Sequence, residues 1–305
     1  MKMNSKIAPL SLALAFGLSV TAPVSAEEAL RYATPEGAVD AVIDALHDRS
    51  VEDLLAIFGD GSEDVLLTGE APRDRAAAAE FLRKYDAGNF INIVYDEIAV
   101  LFVGEDSWAF PIPLARGDDG LWAFDILEGG EEIRTRRVGR NELDVIDILQ
   151  GYVAAQAEYR AEDRDGDGVM EFAASVLSTP GTHDGLYWAD GDSPLGDFIA
   201  QAVADGYAID GEDHDPVPYA GYYYRVLTSQ GEDAPGGAMD YSVNGNLVAG
   251  HGMLAVPASY GDTGVMSFMV SENGVVMQAD LGEDTLEKAV SIHSYDPSES
   301  WTPAN

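Results

Sequence analysis

The apolar residues of this chain change their period partway along, and that change limits the folds open to it. Thr34-Pro35-Glu36 has the chemistry of a helix start, with a capping Thr and a Pro at the first helical position. Ala38, Val42, Ala45 and Leu46 follow at helical spacing. A second helix is predicted near Val51 to Phe58, stopping at Gly59, and a third over the Ala-rich stretch Arg73 to Tyr85. Beyond Tyr85 the runs shorten. Phe90–Tyr95, Ile98–Val103, Ser107–Pro113 and Leu121–Ile126 read as strands, and Arg116-Gly117-Asp118-Asp119-Gly120 makes a hairpin turn of the last two. Helices followed by short strands predict an α+β domain with an antiparallel sheet.

A second unit of the same kind follows. Gly129-Gly130 reads as a linker. A long helix is predicted from about Asn141, its cap, to Arg160, with Leu143, Ile146, Leu149, Tyr152, Val153, Gln156 and Tyr159 tracing one core-facing stripe. Glu171 to Leu177 reads as a short helix, and Pro194 to Gly206 as a helix capped by Ser193. Tyr222–Thr228, Tyr241–Val243, Met253–Val256, Val265–Val270 and Val275–Gln278 then suggest a sheet, Asn273-Gly274 being a strong hairpin signal, before a closing helix within Leu281 to Val290. The expected domains are residues 27–130 and 131–305, after a signal peptide at 1–26.

That signal peptide is read from Lys2 and Lys6, the apolar run Ile7 to Val20, and the small residues Val24-Ser25-Ala26 before Glu27. The run is too short to span a bilayer, and no later stretch is apolar enough. The expected location is therefore periplasmic or secreted, after cleavage near Ala26, with no membrane span in the mature chain. The chain has no Cys, which excludes disulfides, thiol catalysis and Cys-ligated zinc. Its 54 Asp plus Glu against 17 Lys plus Arg give a net charge of −37, which repels nucleic acid and anionic membranes.

Two clusters could carry chemistry. Asp163-Arg164-Asp165-Gly166-Asp167-Gly168 places alternate carboxylates on a tight turn, as at the start of an EF-hand calcium loop. Asp163, Asp165 and Asp167 would ligate Ca2+ through side chains, Val169 through its carbonyl, and Glu171 in place of the Glu missing from the twelfth position, which is Ala174. The alternative is a solvated acidic turn. Arg134, Arg136, Arg137 and Arg140 gather four arginines in seven residues. They could bind an anion beside the helix N-terminus expected at Asn141, or form ion pairs that join the two halves. No His stands at zinc-motif spacing, and G-x-S-x-G, G-x-G-x-x-G and P-loop motifs are absent. Tyr219, Tyr222, Tyr223, Tyr224, Tyr187 and Trp188 could form a stacking surface for sugar or peptide.

Several runs carry a resemblance. Gly139-Arg140-Asn141-Glu142-Leu143, the Asp163 to Val169 run, Ser178-Thr179-Pro180-Gly181 and Asp184-Gly185-Leu186-Tyr187-Trp188 belong to it. So do Gly221-Tyr222-Tyr223-Tyr224-Arg225, Ala234-Pro235-Gly236-Gly237-Ala238 and Tyr260 to Phe268. Together they resemble the secreted bacterial proteins of domain of unknown function 2950, over nearly the whole mature chain. The resemblance implies export and no particular activity. More weakly, Asn141 to Gln278 resembles the globular part of type IV pilin-like and pseudopilin proteins, some of which hold calcium, although the filament-building apolar helix is missing.

The expected fold is α+β: N-terminal helices plus an antiparallel sheet, then a long helix packed on a C-terminal antiparallel, pilin-like sheet. The expected function is that of a non-enzymatic cell-envelope protein with a calcium-stabilised loop and an envelope protein as partner. Two other readings stay open. One is an envelope hydrolase using paired carboxylates, the other a small anionic-ligand binder using Arg134 to Arg140.

Overall fold

The computed structural model describes residues 28–67, 71–164, 166–188, 193–195 and 218–304. The predicted signal peptide and most of the helix predicted from Pro194 lie outside them. The chain divides into two units between Ile126 and Leu127.

In the first unit, α1 (Pro35–Asp48) starts as its sequence dictates: the Thr34 hydroxyl accepts the Gly37 amide at 3.1 Å. Helix α2 (Val51–Phe58) is capped in the same way by Ser50, whose hydroxyl accepts the Asp53 amide. A short α3 (Ser62–Leu66) and α4 (Ala71–Ala87) follow. The sheet comprises β1 (Asn89–Val94), β2 (Ile98–Val103), β3 (Trp108–Ala109), β4 (Leu114–Arg116) and β5 (Trp122–Phe124), in the antiparallel order β1-β2-β4-β5 with β3 also on β2. The predicted strand Ser107–Pro113 is cut to two residues, because Pro111 and Pro113 have no amide to donate to a ladder. The expected hairpin turn survives, joining β4 to β5 instead. Ala99, Leu101, Val103, Leu114, Trp122 and Phe124 bury the inner sheet face, with Val39, Val42, Ile57 and Phe58 from the helices also buried. Phe58 and Phe124 touch, ring centroids 4.5 Å apart.

In the second unit, α5 (Ile126–Tyr159) is 34 residues long and starts well before Asn141. Gly129-Gly130 thus lies inside a helix, where two glycines in one turn cost about 2 kcal/mol relative to alanine but do not break it. The core face is turned slightly from the predicted stripe. Val145, Leu149, Tyr152, Ala155 and Tyr159 are buried, while Leu143 is 63% exposed.

Chain order continues with β6 (Ser175–Leu177) and β7 (Gly185–Tyr187), a parallel pair where a short helix was expected. Then come β8 (Tyr222–Leu227), β9 (Ser229–Gln230), β10 (Met239–Asp240), β11 (Ser242–Val243) and β12 (Asn246–Leu247). Next are β13 (Gly252–Pro257), β14 (Met266–Ser271), β15 (Met277–Asp280), the helix α6 (Thr285–Ser291) and β16 (Thr302–Pro303). The main sheet has the antiparallel order β16-β15-β14-β13-β8. Asn273-Gly274 turns β14 into β15, with Gly274 at φ 74° as such a turn requires.

This sheet is covered on both faces, so β13 is buried at every position. One face packs Met253, Ala255, Phe268 and Val270 with Val145, Leu149 and Tyr152 of α5. The other packs Leu254, Val256 and Met269 with Ala289 of α6, Tyr295 and Trp301. Arg225, on the central part of β8, donates to the carbonyls of Ala289 and Ile292 at 2.8 and 3.1 Å, closing the C-terminal end of α6.

Candidate functional site

The acidic loop after α5 is held by its own backbone. One Asp163 oxygen accepts the Gly166 amide at 2.8 Å and the other the Gly168 amide at 3.0 Å. Both glycines have positive φ, 80° and 89°, the region a side chain disfavours. Asp167 accepts the Val169 amide at 2.7 Å and, through its second oxygen, the side chain of Asn246. Glu171 accepts the Leu247 amide at 2.8 Å, and Phe172 donates its amide to the Leu247 carbonyl at the same distance. The loop is therefore fastened to β12, more than seventy residues on. Asp165 lies outside the described residues. Among those described, no three His, Cys, Asp or Glu side chains converge closely enough to hold a metal ion.

The arginine cluster lies along α5, well inside the helix and away from its N-terminus. No helix start therefore assists it, contrary to the expectation at Asn141. Arg134 pairs with Glu131 at 2.9 Å, Arg136 with Glu132 at 2.7 Å and Arg137 with Asp262 at 3.4 Å. The first two are one-turn helix pairs. These three cations face carboxylates within their own unit.

Beside Arg137, several of the singled-out motif residues meet. The Asn141 side chain donates to the Thr263 carbonyl at 2.8 Å. One Glu142 oxygen accepts the amides of both Val265 and Met266 at 2.9 Å. The Tyr222 hydroxyl donates to the Met266 carbonyl at 2.9 Å. Burial, then the Glu142 charge, push the Tyr222 phenol well above its ordinary range. Gly264 is required by this packing, since a Cβ there would stand 2.0 Å from the Tyr222 oxygen. A parallel arrangement holds the other runs. Asp184 accepts the amide and hydroxyl of Thr179 at 2.7 and 2.8 Å and the hydroxyl of Thr182 at 2.7 Å. Burial alone would raise the Asp184 carboxyl, but the Thr182 and Thr179 bonds outweigh it and hold the group below the usual carboxylate range.

The tyrosine stacking surface does not form as expected. Tyr222 is fully buried and Trp188 nearly so, with His183 stacked on it at 4.3 Å. Tyr222 and Tyr224 face the α5 core, and Tyr223 packs on the opposite one.

Two features had little signal in the sequence. His251 is buried between Tyr152 and Phe172, ring centroids 5.2 and 4.6 Å away, and its Nδ1 has no hydrogen-bond partner among the described residues. Burial, then the charge of Arg160, lower its pKa to about 4, so it is neutral at pH 7. Gln156 completes this interior, donating to the Tyr152 oxygen and the Ala173 carbonyl and accepting the Ala173 amide. Elsewhere an open cleft of about 320 Å³ is lined by Gln230, Pro235, Met239, Tyr241, Gly250 and Glu272. Tyr241 donates to Gln230, which donates to the carbonyls of Pro235 and Gly237. Burial, then Tyr295 and Glu272, push the Tyr241 phenol up to about 12. Of the runs that carry the family resemblance, Ala234 to Ala238 reaches this cleft, through Pro235.

No helix among the described residues is long and apolar enough to cross a membrane. No curated protein matches the chain. No solved structure matches it either, so the pilin-like likeness has no structural counterpart. Residues 30–304 match the family described as "Protein of unknown function (DUF2950)". With that match running across both units, the chain belongs to the DUF2950 family.

Proposed function

We propose that this is an exported protein of the bacterial cell envelope, periplasmic or secreted, that works by holding or docking rather than by catalysis. Its acidic loop would be braced by calcium. The observation that carries the reading is the use made of its singled-out polar residues. Asn141, Glu142, Asp167 and Glu171 bind groups of remote segments, and Asp163 and Asp184 bind groups of their own loops, as structural fasteners do. Export rests on Lys2, Lys6, the apolar run and Val24-Ser25-Ala26. The anion-binding reading of the arginines is disfavoured by the carboxylate partners of Arg134, Arg136 and Arg137, three of the four, with Arg140 exposed on the same helix.

The calcium reading rests on the chemistry of the loop's donors, since among the described residues no three acidic side chains converge on one point. Each carboxylate oxygen that accepts one amide keeps a second lone pair, and Asp163, Asp165, Asp167, Glu171 and the Val169 carbonyl are the hard oxygen ligands this ion prefers. An ion bound there would offset mutual repulsion in a chain of charge −37. The test is calorimetric titration of the mature protein with Ca2+ at moderate salt, beside Asp163→Ala. A saturable site absent from the variant, with a raised melting temperature for the parent alone, supports the reading. Heat that is unsaturable, or equal in both proteins, overturns it.

A further inference from the structure

We propose that the first unit binds an extended apolar segment of another protein as an added strand along β1, with basic residues at the ends of that segment. Among the described residues the strand β1 is a sheet edge, since it pairs there only with β2, whereas the opposite edge, β5, is extended by the Tyr32–Trp122 bridge. Natural proteins guard such edges with charge, proline or a bulge. This one has none: Asn89-Phe90-Ile91-Asn92-Ile93-Val94 pairs in unbroken register with β2 and carries no charged residue. Acids make up 54 of the 305 residues, so about two would be expected in the twelve positions of β1 and β2, which hold none.

The outer face of this hairpin is apolar except for Asn92, which pairs with Val100. Phe90 pairs with Phe102, their rings stacked at 4.9 Å and 4°, and Val94 pairs with Ile98. Phe90 is 51% and Ile98 45% exposed, while Ala99, Leu101 and Val103, pointing the other way, are buried. At the tip, Tyr95 and Asp96 both take positive φ, 53° and 59°, and Tyr95 is 90% exposed. Tyrosine in that region is uncommon, and strain of this kind gathers at binding sites. An uncharged edge, an outer face apolar but for Asn92 and an exposed Tyr95 at the tip point to a partner rather than to water.

Charge selects the partner. Asp86 precedes the strand, Asp96 and Glu97 follow it, and Glu105 stands in the β2–β3 turn near Asn89, where Asp106 is already paired with Lys84. The nearby cations are already engaged, Arg83 with Glu80 and Lys84 with Asp106 at 3.3 Å. A second copy of a chain of charge −37 meets repulsion at both ends of the strand, whereas lysines flanking an apolar segment meet carboxylates.

The test is calorimetry of the full mature protein with a synthetic nonapeptide of alternating valine and threonine between paired lysines. A glutamate-ended peptide of the same core serves as control. Saturable binding of the lysine-ended peptide is expected, with the control at least about tenfold weaker. Phe90→Lys should weaken it by about tenfold or more, and the milder Phe90→Thr, which keeps strand propensity, should weaken it too. Absence of binding, equal binding of both peptides, or affinity unchanged in both variants overturns the proposal. Sedimentation showing a dimer that Phe90→Lys dissociates also overturns it, in favour of a second copy.

Discussion

One Glu142 side-chain oxygen accepts the amides of Val265 and Met266, both at 2.9 Å, and so ties the middle of α5 to the start of β14. A carboxylate holding two amides is a stronger link than an exposed ion pair. Glu142→Ala should therefore cost about 2–3 kcal/mol in urea unfolding, because two amides lose their acceptor. Arg137→Ala, which removes the half-exposed pair to Asp262, should cost less than about 0.5 kcal/mol. Equal effects would contradict the assignment.

His251 should make the second unit acid-sensitive. Its folded-state pKa of about 4 lies below the ordinary 6.5. The unfolded chain therefore binds the proton first as pH falls, and the stability due to this residue, complete above about 6.5, is lost progressively down to about 4. Denaturant titrations at pH 7.5 and 4.5 should show His251→Phe losing less stability on acidification than the parent, by up to about 3 kcal/mol. An identical loss in both would place the acid sensitivity elsewhere.

Glycines in this chain should respond oppositely to alanine. Gly264→Ala forces a methyl into the Tyr222 oxygen at 2.0 Å and should destabilise by about 3 kcal/mol. Gly139→Ala and Gly151→Ala, inside α5 with nothing within 4 Å, should each stabilise by about 0.5–1 kcal/mol. Melting temperatures of the three variants decide this.

Asp184→Ala should loosen the segment from Thr179 to Gly185 by about 1–3 kcal/mol, since it strips the acceptor from Thr179 and Thr182. The sign with pH follows from its lowered pKa. The contribution of Asp184 is present above the ordinary carboxylate range and is lost as pH falls through the lowered folded-state value. The protection factor of the Thr179 amide, corrected for the intrinsic pH dependence of exchange, should fall between pH 7 and about 3 in the parent and be low at both in the variant.

Where short-range chemistry decides structure, the sequence was readable. Thr34 caps α1, Asn273-Gly274 turns β14 into β15, and Tyr222–Leu227 is a strand. Where partners are remote, it was not. Nothing local announces that Glu171 will hold Leu247, or that Asn141 will reach Thr263 instead of capping a helix. Gly129-Gly130 misled because breaker chemistry is a bias of under about 1 kcal/mol per residue over alanine, which tertiary packing can override. Of the candidate sites, the arginine pairing was expected between the two halves; Arg134 and Arg136 instead pair with Glu131 and Glu132 one turn back, on a helix that begins well before the expected Asn141. The His251 interior and the Tyr241 cleft are assembled from segments far apart in the chain, and left no pattern to read.

The strand order β16-β15-β14-β13-β8 joins each strand to its nearest neighbour in that series, whereas Tyr152 of α5 reaches the Gly252 carbonyl across 100 residues and Glu142 reaches Met266 across 124. The β13–β14 and β14–β15 hairpins can therefore close by short loops, while docking of the helix carries a larger loop-closure cost. Helix docking should then be the later event in the assembly of this unit. Changes in the hairpins should slow refolding, and changes in the helix latches should mainly hasten unfolding.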